Sequence, residues 1–147
     1  PMQRILAFLM IIFSFFIKGD MTKTEMTPET EIKAGATSAT FIFENKTGKP
    51  LDLHIYIEKI EMEKDGKWEE VSYIQMLDDV DFVYPCILYP GQKTDLSVEF
   101  RQRAVYSEPV TMPLEEGNYR VTVAYKTSGT RRVQEATKTF DFTVAPA

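Results

Sequence analysis

After Thr37, apolar and polar residues alternate with a period of two over most of the chain, the rhythm of strands that bury one side. Phe41 and Phe43 fall on one side of a first strand, with Thr40, Ile42 and Glu44 on the other. Asn45-Lys46-Thr47-Gly48-Lys49-Pro50 is dense in turn formers and ends it. Leu51, Leu53, Ile55 and Ile57 then alternate with Asp52, His54, Tyr56 and Glu58, which predicts a second strand with one wet face. The phase shifts at Lys59, because Ile60 and Met62 take the opposite parity. A bulge at about Glu58-Lys59 accounts for the shift.

Asp65-Gly66 lies between apolar alternations and predicts a tight hairpin, since both residues tolerate positive φ. The chain would return from Trp68 to Val71, with Trp68 packed on the core. Residues 72–81 read as loop, and a strand from Phe82 to Leu88 carries Pro85, which confines it to an edge or a bulge. Tyr89-Pro90-Gly91-Gln92 makes the next turn. Thr94 to Phe100 alternates again, and residues 101–113 form a long polar connection with Pro109 and Pro113. Tyr119, Val121, Val123 and Tyr125 mark another strand, Ser128-Gly129 a turn, and Phe140, Phe142 and Val144 the inward side of a last strand. About seven short strands, with no helical spacing among them, predict an all-β, immunoglobulin-like Greek-key β-sandwich.

An N-terminal hydrophobic segment precedes that domain. Residues 2–19 carry Arg4, an apolar run from Ile5 to Ile17 broken only by Ser14, then Lys18 and Gly19. Those thirteen residues span about 20 Å as a helix, short of the roughly 30 Å hydrocarbon core of a bilayer. The expected organisation is a signal peptide or membrane anchor over 1–20, a linker over 21–36 rich in Thr, Glu and Lys, and the sandwich over 37–147. The protein is thus expected outside the cytoplasm, secreted or in the cell envelope.

The net charge of -5 disfavours contact with phosphate backbones and excludes nucleic acid from the expected partners. On the same ground, membrane contact is expected only through residues 2–19, if they are retained. Cys86 is the only cysteine, so no intrachain disulfide can form and packing must supply the stability.

Leu114-Glu115-Glu116-Gly117-Asn118-Tyr119-Arg120-Val121 places a leucine, a turn glycine and a tyrosine at the opening of an alternating strand. Such a tyrosine can fold back to hydrogen-bond the preceding corner. Together with the Asn45 turn, the Asp65-Gly66-Lys67-Trp68 hairpin and the Pro90-Gly91 turn, this segment resembles the small bacterial immunoglobulin-like domains of Gram-positive envelope proteins, over residues 37–144. The resemblance implies a surface-exposed interaction or spacer module without catalytic residues. It makes Leu114, Gly117, Tyr119, Trp68, Asp65 and Gly66 structural. The early Asn turn and later Pro-Gly turn are also similar to the β-sandwich proteinase inhibitors of bacilli, which would make residues 101–113 an inhibitory loop.

Few residues offer chemistry. His54 is the only histidine, on a wet face beside Asp52 and Tyr56, without the further ligands of a zinc site or a nucleophile on a glycine-flanked elbow. Asp78, Asp79 and Asp81 could supply oxygens to calcium, but the stretch lacks the glycine and distal glutamate of an EF-hand loop, which favours a solvated loop. Cys86 lies in an apolar run and reads as a small hydrophobe. Arg101 with Arg103, and Arg131 with Arg132, form two basic spots that could receive an acidic partner if they share one end of the sandwich. Tyr56, Tyr73, Tyr84, Tyr89, Tyr106 and Tyr125 suit protein or glycan contact as well as half-buried strand positions. The expected function is a non-catalytic exported or cell-surface interaction or structural module that needs no cofactor. The alternative is a secreted protease inhibitor acting through residues 101–113.

Overall fold

A computed structural model describes residues 20–76, 86–102 and 110–147, and all regular structure among them is β. In chain order the strands are β1 (Thr24–Pro28), β2 (Ile32–Lys33), β3 (Ser38–Asn45), β4 (Leu51–Asp52), β5 (Tyr56–Lys64) and β6 (Lys67–Val71). They continue with β7 (Tyr73–Met76), β8 (Ile87–Leu88), β9 (Lys93–Gln102), β10 (Val110–Thr111), β11 (Gly117–Lys126) and β12 (Glu135–Ala145). One sheet runs β1, β3, β9, with β7 and β10 also paired to β9. The facing sheet runs β2, β12, β11, β5, β6, and β4 with β8 forms a separate two-stranded ribbon. Neighbours such as β3 and β9, or β5 and β11, are distant in sequence, and the strand order is that of an immunoglobulin-like sandwich.

The alternation works as the sequence implies. Phe41 and Phe43 on β3, and Leu96, Val98 and Phe100 on β9, point between the sheets, where Tyr119, Val121, Val123 and Tyr125 on β11 meet them. Phe41 packs edge-on against Phe142 at 5.1 Å, and Phe43 does the same against Tyr125 at 5.3 Å. The phase shift in β5 is a bulge: Thr122 faces Lys59 while Val123 faces Ile57, which leaves Glu58 as the extra residue. Both Ile57 and Ile60 are thereby buried. At the β5–β6 hairpin Asp65 has φ 51° and Gly66 φ 74°, the two left-handed residues a two-residue turn with the right twist requires.

Residues 21–36 are not a linker. β1 pairs with β3 through five residues, the chain crosses between the sheets after Pro28, and β2 joins β12 in parallel. Thr24, Met26 and Ile32 are buried. The sheet edges on β3 and β12 carry backbone donors and acceptors that need partners, and these two short strands supply them. Pro28 is tolerated because it ends an edge strand, where its missing N–H costs no ladder bond.

Three further expectations change. The strand expected from Leu51 to Glu58 is interrupted at residues 53–55, because Leu51–Asp52 pairs with β8 whereas Tyr56 onward pairs with β11. Residues 73–76, expected in a loop, form β7 against β9. Trp68 does not pack on the core; it stands half-buried on the outer face of β6, opposite Glu63. The hairpin register puts Lys67, Glu69 and Val71 on the inward side, so Trp68 must point out. Residues 1–19, with the expected targeting segment, and residues 82–85 of the strand expected over Phe82–Leu88, lie outside the described residues.

Asn45 is more than a turn former. Fully buried, it donates from Nδ2 to the carbonyls of Lys49 (2.7 Å) and Leu88 (2.9 Å), and its Oδ1 accepts from Thr47 N (3.0 Å) and Thr47 Oγ1 (2.7 Å). The side chain therefore closes the turn after β3 and holds β8 against it. Asn45→Asp would put an acceptor where two carbonyls need a donor, and it is expected to cost about 3 kcal/mol in urea denaturation. Met26→Ala is expected to cost about 2–4 kcal/mol in the same measurement, whereas a residue in a linker would cost nothing measurable.

Candidate functional site

The outer face of the β2-β12-β11-β5-β6 sheet carries an ordered arrangement of polar and aromatic side chains. Arg120 on β11 lies directly across from Glu61 on β5, because the ladder pairs these residues. Its guanidinium donates to both carboxylate oxygens, Nε to Oε1 at 2.9 Å and Nη2 to Oε2 at 3.2 Å. The same guanidinium stands 4.2 Å from the ring centre of Trp68 on β6. Lys59 adds a third charge at 3.6 Å from Glu61. The two-donor bond from Arg120 holds the Glu61 carboxyl below the usual carboxylate range, and the same bond raises the Arg120 pKa. Further along, Thr122 and Thr139 share a hydroxyl contact of 3.2 Å, and Ala124 sits between its ladder partners Tyr56 and Thr137. Tyr56 is 62% exposed beside that small side chain.

This face ends at the lateral seam where β6 stops and the chain crosses to β7. Here the free edge of β5 is closed by side chains in place of a strand. Gln75 on β7 accepts from Ile57 N at 3.1 Å and donates to Ile55 O at 2.9 Å, and the Tyr73 hydroxyl donates to Ile57 O. The Gln75 amide thus reproduces a ladder rung, which protects the edge against pairing with another chain. Burial, with the nearby Tyr56 and the carboxylates of Glu70 and Glu58, pushes the Tyr73 hydroxyl up to about 12. A groove of about 610 Å³ opens along this seam, between Tyr56 and Glu58 on one wall and Tyr73 and Ile74 on the other.

The residues singled out in the sequence scatter over the fold. Leu114, Gly117 and Tyr119 form one corner, in which Tyr119 Oη donates to Glu115 O at 2.6 Å. Gly117 has φ +153°, and a Cβ there would stand 3.0 Å from Met62 Cε. Asp65 and Gly66 make the β5–β6 turn. His54 is exposed between β4 and β5, its Nδ1 2.9 Å from Asp52 Oδ1, and Asp52 also accepts from His54 N at 2.8 Å. That is a side-chain-capped turn. Cys86 is half-buried, and its carbonyl accepts from Leu53 N. Asp78, Asp79 and Asp81, with Tyr84, Arg103 and Tyr106, lie outside the described residues. No group of three or more His, Cys, Asp or Glu among the described residues could hold a metal.

Arg101 and the Arg131–Arg132 pair do not share an end. Arg101 follows Phe100, whose N–H donates to Thr37 O before β3, and it pairs with Glu99 at 2.9 Å. Arg131 and Arg132 sit in the hairpin beyond Lys126, where Ser128 N donates to Pro50 O after β3. Of the expected connection over 101–113, Arg101 and Gln102 pair with Thr111 and Val110, and residues 103–109 lie outside the described residues. The Arg120–Glu61–Trp68 arrangement was missed in the sequence. Its signal was the outward parity of all three residues, and only the register of three strands brings them together.

No protein-family profile matches the chain, and no curated protein matches it in sequence. Among solved structures, the ASH/PapD-like domain of human CEP192 (PapD-like domain 7) matches with a TM-score of 0.41 and 11% identity, over 86% of this chain and 87% of that chain. No sequence match supports the Gram-positive envelope family in particular. What holds is the coarser immunoglobulin-like sandwich defined by the strand order.

The Arg120–Glu61 pair sets a pH dependence. The folded Glu61 carboxyl titrates below its unfolded value of about 4.3, so its contribution is complete above that pH and is lost as pH falls through the folded value. The difference in thermal midpoint between the unaltered chain and Glu61→Gln is expected to be constant at neutral pH and to shrink toward zero below about pH 4. Trp68 fluorescence should change over the same acidic range as Arg120 loses its anionic partner.

Proposed function

We propose that this chain is a non-catalytic interaction module that works outside the cytoplasm and receives a protein partner on the outer face of its five-stranded sheet. The observation that carries the reading is the clamping of Arg120 between Glu61 and Trp68, on the same sheet face as the exposed ring of Tyr56. Arginine and aromatic side chains dominate binding energy at protein interfaces, and those already held in place lose little entropy on association. The fold supports this use, since the ladder fixes each side chain of the face to within the rigidity of the sheet. The extracytoplasmic part of the reading is supported by Arg4 and the apolar run from Ile5 to Ile17.

Partner capture from envelope extract by the full chain tests both parts. Tyr56→Ala with Thr137→Arg changes two exposed positions on the face, and it is expected to weaken capture of a specific protein about tenfold or more. Asp95→Lys, exposed on the opposite sheet, should leave that capture unchanged. Equal loss in both variants would refute the assignment to this face. Recovery of the chain from cytosol alone, on fractionation of cells producing it, would remove the extracytoplasmic part.

A further inference from the structure

Exposed basic side chains gather at one end of the sandwich. The chain enters the described structure at one end, and its entry is fixed there. Asp20 accepts from Thr22 N at 3.0 Å, the Tyr125 hydroxyl donates to Met21 O, and Lys138 Nζ donates to Thr22 O (2.6 Å) and Thr24 O (2.7 Å). Three connections surround this point. Lys46 N in the turn after β3 donates to Lys23 O, Gly91 N in the Tyr89–Gln92 turn donates to Asn45 O, and Ser128 N in the β11–β12 hairpin donates to Pro50 O.

The entry segment and these three connections carry Lys23, Lys46, Lys49, Arg131 and Arg132 against the single acidic residue Asp20. Lys46 is engaged by Glu25 and Glu44, whereas Lys23, Arg131 and Arg132 are exposed and make no ion pair among the described residues. Tyr89 and Val133, 54% and 61% exposed, stand in the same connections. At the opposite end Asp65, Glu115 and Glu116 stand with Lys64 and Lys67, and Lys64 pairs with Glu69 and Glu115. The net charge of -5 therefore averages a basic end with an acidic remainder.

We propose that this basic end docks on the headgroups of an anionic phospholipid bilayer. Basic side chains interspersed with an exposed aromatic ring and an aliphatic tip suit the boundary between headgroups and acyl chains. Each basic residue near an anionic surface strengthens binding about fivefold. The position of the apolar run agrees with this occupant. Ile17 is three residues before Asp20, so no more than about 10 Å of extended chain separates the run from this end. Docking here would leave the Arg120–Trp68 face free along the side of the molecule. The extracytoplasmic reading bears on the inference only through that apolar run, and the partner-binding face is not part of it.

The test is quenching by dibrominated lipid, with the full chain on vesicles of phosphatidylcholine and phosphatidylglycerol. Trp68 is the only native tryptophan and lies beside the Asp65-Gly66 turn at the far end, so it serves as the internal reference. Emission from Val133→Trp should be quenched while Trp68 of the unaltered chain is not. The quenching should disappear on pure phosphatidylcholine, in about 1 M salt, where charges are screened beyond about 3 Å, and when Lys23, Arg131 and Arg132 are all changed to Gln. Val133→Trp quenched no more than Trp68 would overturn the proposal. So would equal quenching on neutral vesicles or in the triple Gln variant, because the apolar run alone would then hold the end at the bilayer. Capture through Tyr56 and Thr137, measured in solution, is unaffected by either result and reports on the partner face alone.

Discussion

Phe41 and Phe43 reach from one sheet to Phe142, Phe140 and Tyr125 on the other, with ring centres 5.1 to 6.4 Å apart, and Tyr119 stacks on Phe142 at 5.2 Å. With no disulfide available, this aromatic seam and the Val and Ile side chains around it are the main source of cohesion between the two layers. The seam also fixes register, since sliding β11 by one residue would turn Tyr119, Val121, Val123 and Tyr125 to solvent. Everything on the outside inherits its position from that constraint. Arg120 and Thr122 face outward because their neighbours face in, and Arg120 meets Glu61 because the ladder has only one register that keeps the seam buried.

Much of the sandwich was legible because its signals are local. The parity change at Lys59 located the Glu58 bulge, and Asp65-Gly66 located the hairpin, since each reflects a backbone requirement that few residues satisfy. The strands in residues 24–28 and 32–33 were not legible. They are short, interrupted by Pro28, and held by partners more than a dozen residues away or at the far end of the chain. Met26 and Ile32 were the visible trace, two apolar residues of like parity in a polar stretch. The break at residues 53–55 was hidden for a different reason: Leu51, Ile55 and Ile57 are all buried in one parity, and only their strand partners show that the chain changes sheets.

The outer face was less legible still. Trp68 read as a core residue because a lone tryptophan in an alternating strand usually is one, and its outward parity follows only from counting back from the turn. Asn45 read as a turn former, yet it is buried and satisfies four hydrogen bonds, which requires Leu88 from a distant segment. Net charge was the coarsest guide. It describes the molecule as uniformly acidic, whereas the topology gathers Lys23, Arg131 and Arg132 at the end where the chain enters and Glu115 and Glu116 at the other.

These features make one mechanical unit: a seam that cannot slide, a polar face aligned by it, and a chain entry locked by Tyr125 and Lys138. The central claim is that the sandwich includes β1 and β2 and closes as a single cooperative body around the seam. Hydrogen exchange on the full chain tests it most directly. The amides of Glu25 and Thr27, which pair with Glu44 and Ile42 in the hydrogen-bonded positions of the ladder, should exchange in the same slow class as those of Phe43, Val121 and Val123, released only by global unfolding. Fast exchange throughout Thr24–Lys33, with protection beginning only after Thr37, would contradict the account.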